Sequence, residues 1–197
     1  EQAPFSQACE NNKEAILAIL KDAFANVKNV LEIGSGTGQH AVHFAKHLPH
    51  VQWHCADQSQ YHDGILAWIQ HFPSPNLIPP ITLKVPQDKW PAPNNSKAFD
   101  AYFSANTAHI MQKTEVCYLM QTINKKLPED GVFCQYGPFT QDGEFSSQSN
   151  EDFHHRLISE GYGGYRDIQE LIEWAPLLKL SDIIQMPANN LMLVWHR

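Results

Sequence analysis

Several things are scarce in this chain, and each scarcity excludes something. No apolar run reaches the roughly eighteen residues of a membrane span, and no charged-then-apolar leader opens the sequence, so the chain reads as soluble and cytoplasmic. Basic residues are few: 14 Lys and Arg face 21 Asp and Glu, a formal net charge of −7. Phosphate backbones are held by Lys and Arg, so this balance argues against a nucleic acid partner and suits a small-molecule or protein substrate better. Four cysteines, Cys9, Cys55, Cys117 and Cys134, are far apart with no C-x-x-C pair, as expected of reduced core thiols. There is no H-E-x-x-H and no cysteine beside a histidine cluster. His40, His43 and His47, on one helix side, and the pair His154 and His155 are therefore expected to be solvated, and no metal is expected. Repeats and low-complexity tracts are absent. The 43% hydrophobic and 18% charged content is that of a globular protein, and 197 residues suit one domain over 1–197.

What is present is a stretch around which the rest is organised, V-L-E-I-G-S-G-T-G-Q-H from Val30 to His40. A short apolar run holding one acid, Glu32, meets three glycines at alternate positions, Gly34, Gly36 and Gly38, and then a helical pattern. This is a strand, a tight turn and a helix start. Glycine lets the backbone turn with positive φ and lets its N–H groups approach a ligand with no Cβ between. A dinucleotide fingerprint would read G-x-G-x-x-G; here the third glycine comes one position early and Gln39 follows it.

The remaining chain alternates strand and helix patterns. Apolar residues at 16, 19, 20, 23, 24 and 27 predict a helix over Ala15 to Val27, with Asn11 or Asn12 as N-cap. Ala41, Phe44, Ala45 and Leu48 predict a second helix ending at Pro49. Val51 to Ala56 reads as the second strand. Asp57, Gln58 and Ser59 follow it and precede a helix bearing Ile65, Trp68, Ile69 and Phe72, with Trp53, Trp68 and Phe72 expected in the core. A proline-rich connection leads to a third strand over Ile81 to Val85 and a loop containing Asp88. Phe99 to Ser104 is the fourth strand, continued by Asn106 and His109, and the next helix carries Val116, Leu119, Met120, Ile123 and Leu127. Val132 to Tyr136 is the fifth. The polar loop from Gly137 to Asn150, with Phe139 and Phe145, is long enough for a functional lid. Two strands near Leu180 to Met186 and Leu191 to His196 are joined by only Pro187 to Asn190, which forces an antiparallel pair. The alternation implies an α/β protein with a parallel sheet.

In such a sheet, ligands bind beyond the carboxyl ends of the strands, and the candidate residues fall there. The glycine loop follows strand one, Asp57 and Gln58 follow strand two, Asp88 lies beyond strand three, Asn106 follows strand four, and Tyr136 ends strand five. A carboxylate in the position of Asp57 can accept from both hydroxyls of a ribose, in a nicotinamide cofactor as well as in S-adenosylmethionine (SAM), or it can cap the following helix.

Taken together, E-I-G-S-G-T-G-Q-H, A-D-Q-S, F-D-A-Y-F-S-A-N-T-A-H-I, Y-G-P-F-T-Q-D-G-E-F-S-S-Q-S-N and Y-R-D-I resemble a small family of uncharacterised methyltransferase-like proteins with a SAM-dependent methyltransferase fold. The resemblance covers essentially the whole chain. It implies a three-layer Rossmann-like class I methyltransferase sandwich: a mostly parallel seven-stranded sheet in the order 3-2-1-4-5-7-6, the last strand antiparallel. It also implies SAM as cofactor and S-adenosylhomocysteine (SAH) as product. Carried over by position, Glu32, Gly34, Gly36 and Gly38 would hold the methionine end, Asp57 the ribose, and Asn106 the region of the methyl group. After strand three, where many relatives carry an acid, this chain has Lys84, Val85 and Pro86, leaving Asp88 as the acid nearest the adenine position.

Catalysis needs an acceptor lone pair in line with the methyl group, and positioning can supply most of the rate. For a hydroxyl acceptor His109 or Tyr136 would stand as base, His109 being equally open to a solvated role at a helix start. Arg166 would clamp an acidic group of the acceptor, or pair with Asp167 or Glu170 on a helix. The function expected is a SAM-dependent methyltransferase acting on a small molecule. A nicotinamide-dependent oxidoreductase, disfavoured by Gln39, and a SAM-binding protein without catalysis are the alternatives.

Overall fold

The computed structural model describes residues 2–93 and 98–197. Its strands form one seven-stranded sheet in the order β3-β2-β1-β4-β5-β7-β6, the order the resemblance implies. The strands are β1 (Asn29–Ile33), β2 (Gln52–Asp57), β3 (Leu77–Thr82), β4 (Ala101–Ala105), β5 (Val132–Gly137), β6 (Lys179–Met186) and β7 (Asn190–His196). Contacts divide the chain into two compact units, Glu1–Ser104 and Ala105–Arg197.

In the first unit β1 runs parallel to β2 and β4, and β2 parallel to β3. Helices α1 (Gln7–Ala23), α2 (Gln39–His47) and α3 (His62–His71) belong to it. The α1 helix begins eight residues before the predicted Ala15 because the Ser6 hydroxyl accepts from the Cys9 amide and caps it. Asn12, one of the two residues expected as cap, is instead buried inside the helix. Ile16 and Leu20 of this helix and its C-cap Phe24 are fully buried, as are the rings of Phe44, Trp53 and Phe103, which meet at centroid distances of 5.5 to 5.6 Å. Side chains of this size each contribute about 1.5–3 kcal/mol by leaving water. Of the three aromatics expected in the core, only Trp53 is buried: Phe72 is 57% exposed at the C-cap of α3, stacked on Trp68.

The third strand also differs from expectation. It starts at Leu77 rather than Ile81 and contains Pro79 and Pro80. Proline removes a ladder donor, so it is confined to edges and bulges; β3 is the sheet edge, and its register against β2 slips between His54 and Ala56.

The second unit holds α4 (Lys113–Lys126), α5 (Gln148–Ser159) and α6 (Ile168–Trp174) with the strands β5, β7 and β6. β7 is antiparallel to both β5 and β6, as the short Pro187–Asn190 connection requires. Two cysteines, Cys55 and Cys134, are buried; Cys9 and Cys117 are half-buried, and all four are free. Among the described residues no helix is long and apolar enough to cross a membrane.

Candidate functional site

In the first unit the glycine loop is held where it leaves β1. The amides of Gly34 and Ser35 donate to the Ala56 carbonyl at 3.0 and 2.9 Å, and the Ser35 hydroxyl accepts from the Ala56 amide. The turn needs φ of +58° at Gly36 and +93° at Gly38, values that cost an L side chain strain. Space decides the rest. A Cβ on Gly38 would press on Ile65 and Trp68 of α3, whereas one on Gly36 would meet nothing within 4 Å. Crowding within the protein is therefore not what requires glycine at 36. The space it leaves is a cradle that a ligand can enter, and Gly36 and Thr37 line a cleft of about 470 Å³ with Gln2, Pro4, Gln60, Tyr61, Asp63 and Gly64. Pockets of this size take small organic ligands.

Asp57 sits at the end of β2. Its Oδ2 accepts from the Gly36 amide at 2.8 Å and its Oδ1 from the Gln58 amide at 2.7 Å. Burial raises its pKa while those two bonds oppose the rise. It caps no helix: a short 3₁₀ turn over Ser59–Tyr61 follows, and neither that turn nor α3 has a side-chain cap. Each oxygen keeps a lone pair for a further donor.

Glu32 is buried on β1. Trp53 Nε1 donates to it at 3.2 Å. Burial pushes its pKa up to about 7, against the pull of the Ser35 and Trp53 hydrogen bonds; the nearby Asp57 charge adds to the rise. None of these neighbours is cationic, so a cation placed beside Glu32 would stabilise its ionised form. Asp88 serves the chain locally, accepting from the Lys84 amide at 2.7 Å while its own amide donates to the Lys84 carbonyl.

Two residues in this unit have positions the sequence hid. His40 is buried, not solvated. Its Nε2 lies 2.7 Å from Asn12 Oδ1, its ring stacks on Phe44, and burial lowers its pKa to about 4. Gln39 is 3% exposed and grips the backbone of Ser6, accepting from its amide at 2.6 Å and donating to its carbonyl at 3.2 Å. A polar residue directly after the third glycine was the one available signal for Gln39. Nothing local marks the pairing of His40 with Asn12, which lie 28 residues apart.

The second unit gathers the other candidates. Asn106 takes a left-handed φ of 57°, which asparagine tolerates better than most residues, and its amide donates to the Tyr136 carbonyl at 2.9 Å. The Tyr136 hydroxyl is 3.0 Å from Asn190 Nδ2, which donates to it. His109 lies in the turn before α4 and is 5% exposed, with its ring near Phe153 and Tyr165. Burial lowers its pKa to about 4, and its Nδ1 is buried with no hydrogen-bond partner. It is therefore neutral near pH 7 and not a solvated group.

Arg166, 8% exposed, donates through Nη2 to the Gly163 carbonyl at 3.0 Å, and its Nη1 lies 3.5 Å from Glu170 Oε2. Of the two helix partners considered, Glu170 is the one it approaches. Its Nε is buried without a partner. Tyr165, which sequence reading passed over, joins the rings of Phe145, Phe153 and His154 at 5.7 to 6.2 Å, and burial raises its hydroxyl pKa to about 12. His154 is tied in as well, its Nδ1 accepting from the Tyr165 amide.

The loop expected as a mobile lid is shorter and fastened. Helix α5 begins at Gln148, and Asp167 anchors what precedes it, its Oδ1 accepting from Thr140 Oγ1 at 2.7 Å and from the Gly143 amide at 2.8 Å. Burial pushes the Asp167 carboxyl up, but these bonds and one from the Gln169 amide outweigh it and hold its pKa below the ordinary value. Among the described residues, no three His, Cys, Asp or Glu side chains come together as a metal site needs.

Residues 3–197 match the family described as "Protein of unknown function (DUF938)". The chain belongs to this family. Among solved structures it is similar to human N-acetylserotonin methyltransferase in complex with SAM, with a TM-score of 0.78 and 12% identity over 97% of this chain and 53% of that one. A putative O-methyltransferase from Nostoc punctiforme matches with a TM-score of 0.77 and 12% identity, over 94% of this chain and 55% of that one. An O-methyltransferase family 2 protein from Planctomyces limnophilus, in complex with apigenin, gives 0.74 and 14%, over 94% and 61%. This DUF938 chain thus spans about half to three-fifths of the length of those proteins, and what it shares with them is the class I methyltransferase fold.

Proposed function

We propose that this DUF938 protein is a SAM-dependent methyltransferase acting on a small-molecule acceptor. The observation that carries the reading is the glycine loop, whose Gly36 opens onto a cleft and is joined through its amide to Asp57 at the end of β2. Glu32, Gly34, Gly36 and Gly38 are assigned to the methionine end of the cofactor. Asp57 and Gln58 are assigned to its ribose, Asp88 to the adenine side and Asn106 to the region of the methyl group. SAM supplies an electrophilic methyl on sulfur. The protein's part is to bind, orient and exclude water, since an acceptor lone pair in line with that methyl needs no nucleophilic side chain.

His109, Tyr136 and Arg166 are assigned to the acceptor. A neutral imidazole with an unpartnered buried nitrogen can accept a proton from a hydroxyl. Arg166 Nε is a buried donor without an acceptor, suited to an acidic group. The similar fold of N-acetylserotonin methyltransferase in complex with SAM supports the cofactor assignment by analogy. Against the nicotinamide reading stands Gln39, buried where the fingerprint calls for glycine and already engaged with Ser6.

Titration calorimetry with SAM, SAH and NADH, followed by methyl-donor turnover against a metabolite panel, tests the proposal. Ligand stabilisation follows RT ln(1 + [L]/Kd), so SAH at about a hundredfold excess over Kd should stabilise the fold by roughly 2.7 kcal/mol. Heat with NADH and none with SAH would overturn it. Once an acceptor is found, His109→Ala, Tyr136→Phe and Arg166→Ala should lower turnover and spare SAH affinity; unchanged turnover in all three would remove them from the acceptor site.

A further inference from the structure

The cleft over the glycine loop has a wall that the chain supplies from outside the strand and helix framework. Residues Gln2 to Ser6 precede α1, and Gln2 and Pro4 line the cleft together with Gly36 and Thr37. Three contacts fasten this strap. Gln39 holds Ser6 through both backbone groups, the amide donating to Oε1 and the carbonyl accepting from Nε2. The Trp68 indole donates to the Pro4 carbonyl. The Pro4 ring lies so close to α3 that a Cβ on Gly64 would come within 2.7 Å of its Cγ.

Each contact comes from an element that also shapes the glycine loop. Gln39 is the first residue of α2 and its amide donates to Thr37 Oγ1; Trp68 and Ile65 of α3 are the neighbours a Cβ on Gly38 would meet. A backbone amide and carbonyl held by one buried carboxamide form a two-point latch; the Ser6 carbonyl also accepts from the Glu10 amide of α1 at 3.2 Å, so the amide is the group that depends most on Gln39. Phe5, between the two fastened residues, is 61% exposed. The strap is thus held by its backbone rather than by burial of its largest side chain. Such a segment opens locally at less cost than a core element.

We infer that Gln2 to Ser6 form part of the cofactor site, and that Gln39 latches them as a wall that must lift for the cofactor to exchange. The inference rests on the cofactor reading above. It assigns Gln39 as a positioning residue, acting on the ligand through the strap.

Two variants disturb the strap by unrelated means. Gln39→Ala removes the latch. Gly64→Ala leaves the Gln39 side chain in place but inserts a methyl under Pro4 that pushes the strap away from it, while alanine suits helix α3 better than glycine does, so the fold is retained. Hydrogen exchange at the Ser6 amide, measured without ligand, reads the strap itself; SAH dissociation, measured by stopped flow, reads the wall. In both variants Ser6 should lose protection, and SAH should dissociate about tenfold faster, as expected for loss of one or two neutral hydrogen bonds. The association rate should stay the same or rise, which a general loosening of the fold would not produce. Unchanged protection in both variants would overturn the latch. Lost protection with unchanged SAH dissociation would overturn the wall and leave the cofactor reading standing. If the wild-type protein binds no SAH, the cofactor reading falls and takes the inference with it.

Discussion

Glu32→Gln removes one ionisable group from the interior of the first unit and nearly preserves its shape. The buried carboxyl titrates at about 7 against an ordinary 4.5, a gap of 7 − 4.5 = 2.5. At about 1.36 kcal/mol for each tenfold change in proton affinity, this amounts to roughly 3 kcal/mol. The sign follows from proton counts. Between pH 4.5 and 7 the folded protein holds a proton on Glu32 that the unfolded chain has released, so stability falls as pH rises through this window and the full loss is felt above it. The variant has no such proton to lose, and its amide oxygen can still accept from Trp53. Wild type and variant should therefore be matched near pH 4.5, with the variant ahead by roughly 3 kcal/mol at pH 8, on the order of 6–12 °C in melting temperature for a chain of this size. Urea unfolding followed by circular dichroism at half-unit steps between pH 4.5 and 8.5 reads this directly. An offset that does not change with pH would refute the reasoning, as would a variant less stable than wild type at pH 8. Under the cofactor proposal the order reverses for binding, and the variant should hold SAM less tightly at pH 8.

Asp57→Ala should weaken SAH binding by about 1.5–3 kcal/mol, the scale of a hydrogen bond to a charged group, measured by calorimetry; an unchanged Kd would remove Asp57 from the site. Gly36→Val should abolish that binding by filling the cradle with side chain, and retained affinity would mean that the ligand lies elsewhere. His40 is buried with its pKa lowered to about 4 from 6.5, so the stability it protects is complete above pH 6.5 and lost as pH falls toward 4, by up to roughly 3 kcal/mol. His40→Gln should flatten the acid limb of the unfolding profile by that amount, and an unaltered limb would show that His40 is not its source. Duplex DNA and structured RNA should not bind at physiological salt, given the net charge of −7; binding with a steep salt slope would contradict this.

Most of the sheet could be read from the chain because its signals are local. The Glu32-to-Gly38 run, the acid that ends β2 and the short Pro187–Asn190 link are each contained within a few residues, and the turn, the strand end and the antiparallel pair they predict are all present. Expectation failed where a distant partner set the outcome. The polar Asn11-Asn12-Lys13 stretch concealed the first turns of α1, since burying Asn12 becomes favourable only with His40 opposite. Prolines at 79 and 80 looked like a linker because their tolerance depends on an edge position fixed by neighbouring strands. The loop after β5 looked free because its anchor, Asp167, lies more than twenty residues further on. The candidate residues divide the same way: the glycine loop and Asp57 were visible, whereas the packing of Gln39 and Tyr165 and the burial of His109 come from tertiary structure.

The place of β7 governs how the second unit can be made. The strand between β5 and β6 is the latest in sequence of the three, so β5 and β6 cannot be joined until Asn190 to His196 have left the ribosome. Until then β5 and β6 each carry an unpaired ladder edge, the kind of surface that pairs with other chains. Because the β5–β7 pairing links residues some sixty positions apart, as in Val132 opposite His196, closure is slow compared with a hairpin. Deleting Asn190 to His196 would remove only 7 residues, yet it would leave those two edges open for good and send the product toward aggregation instead of a slightly weakened fold.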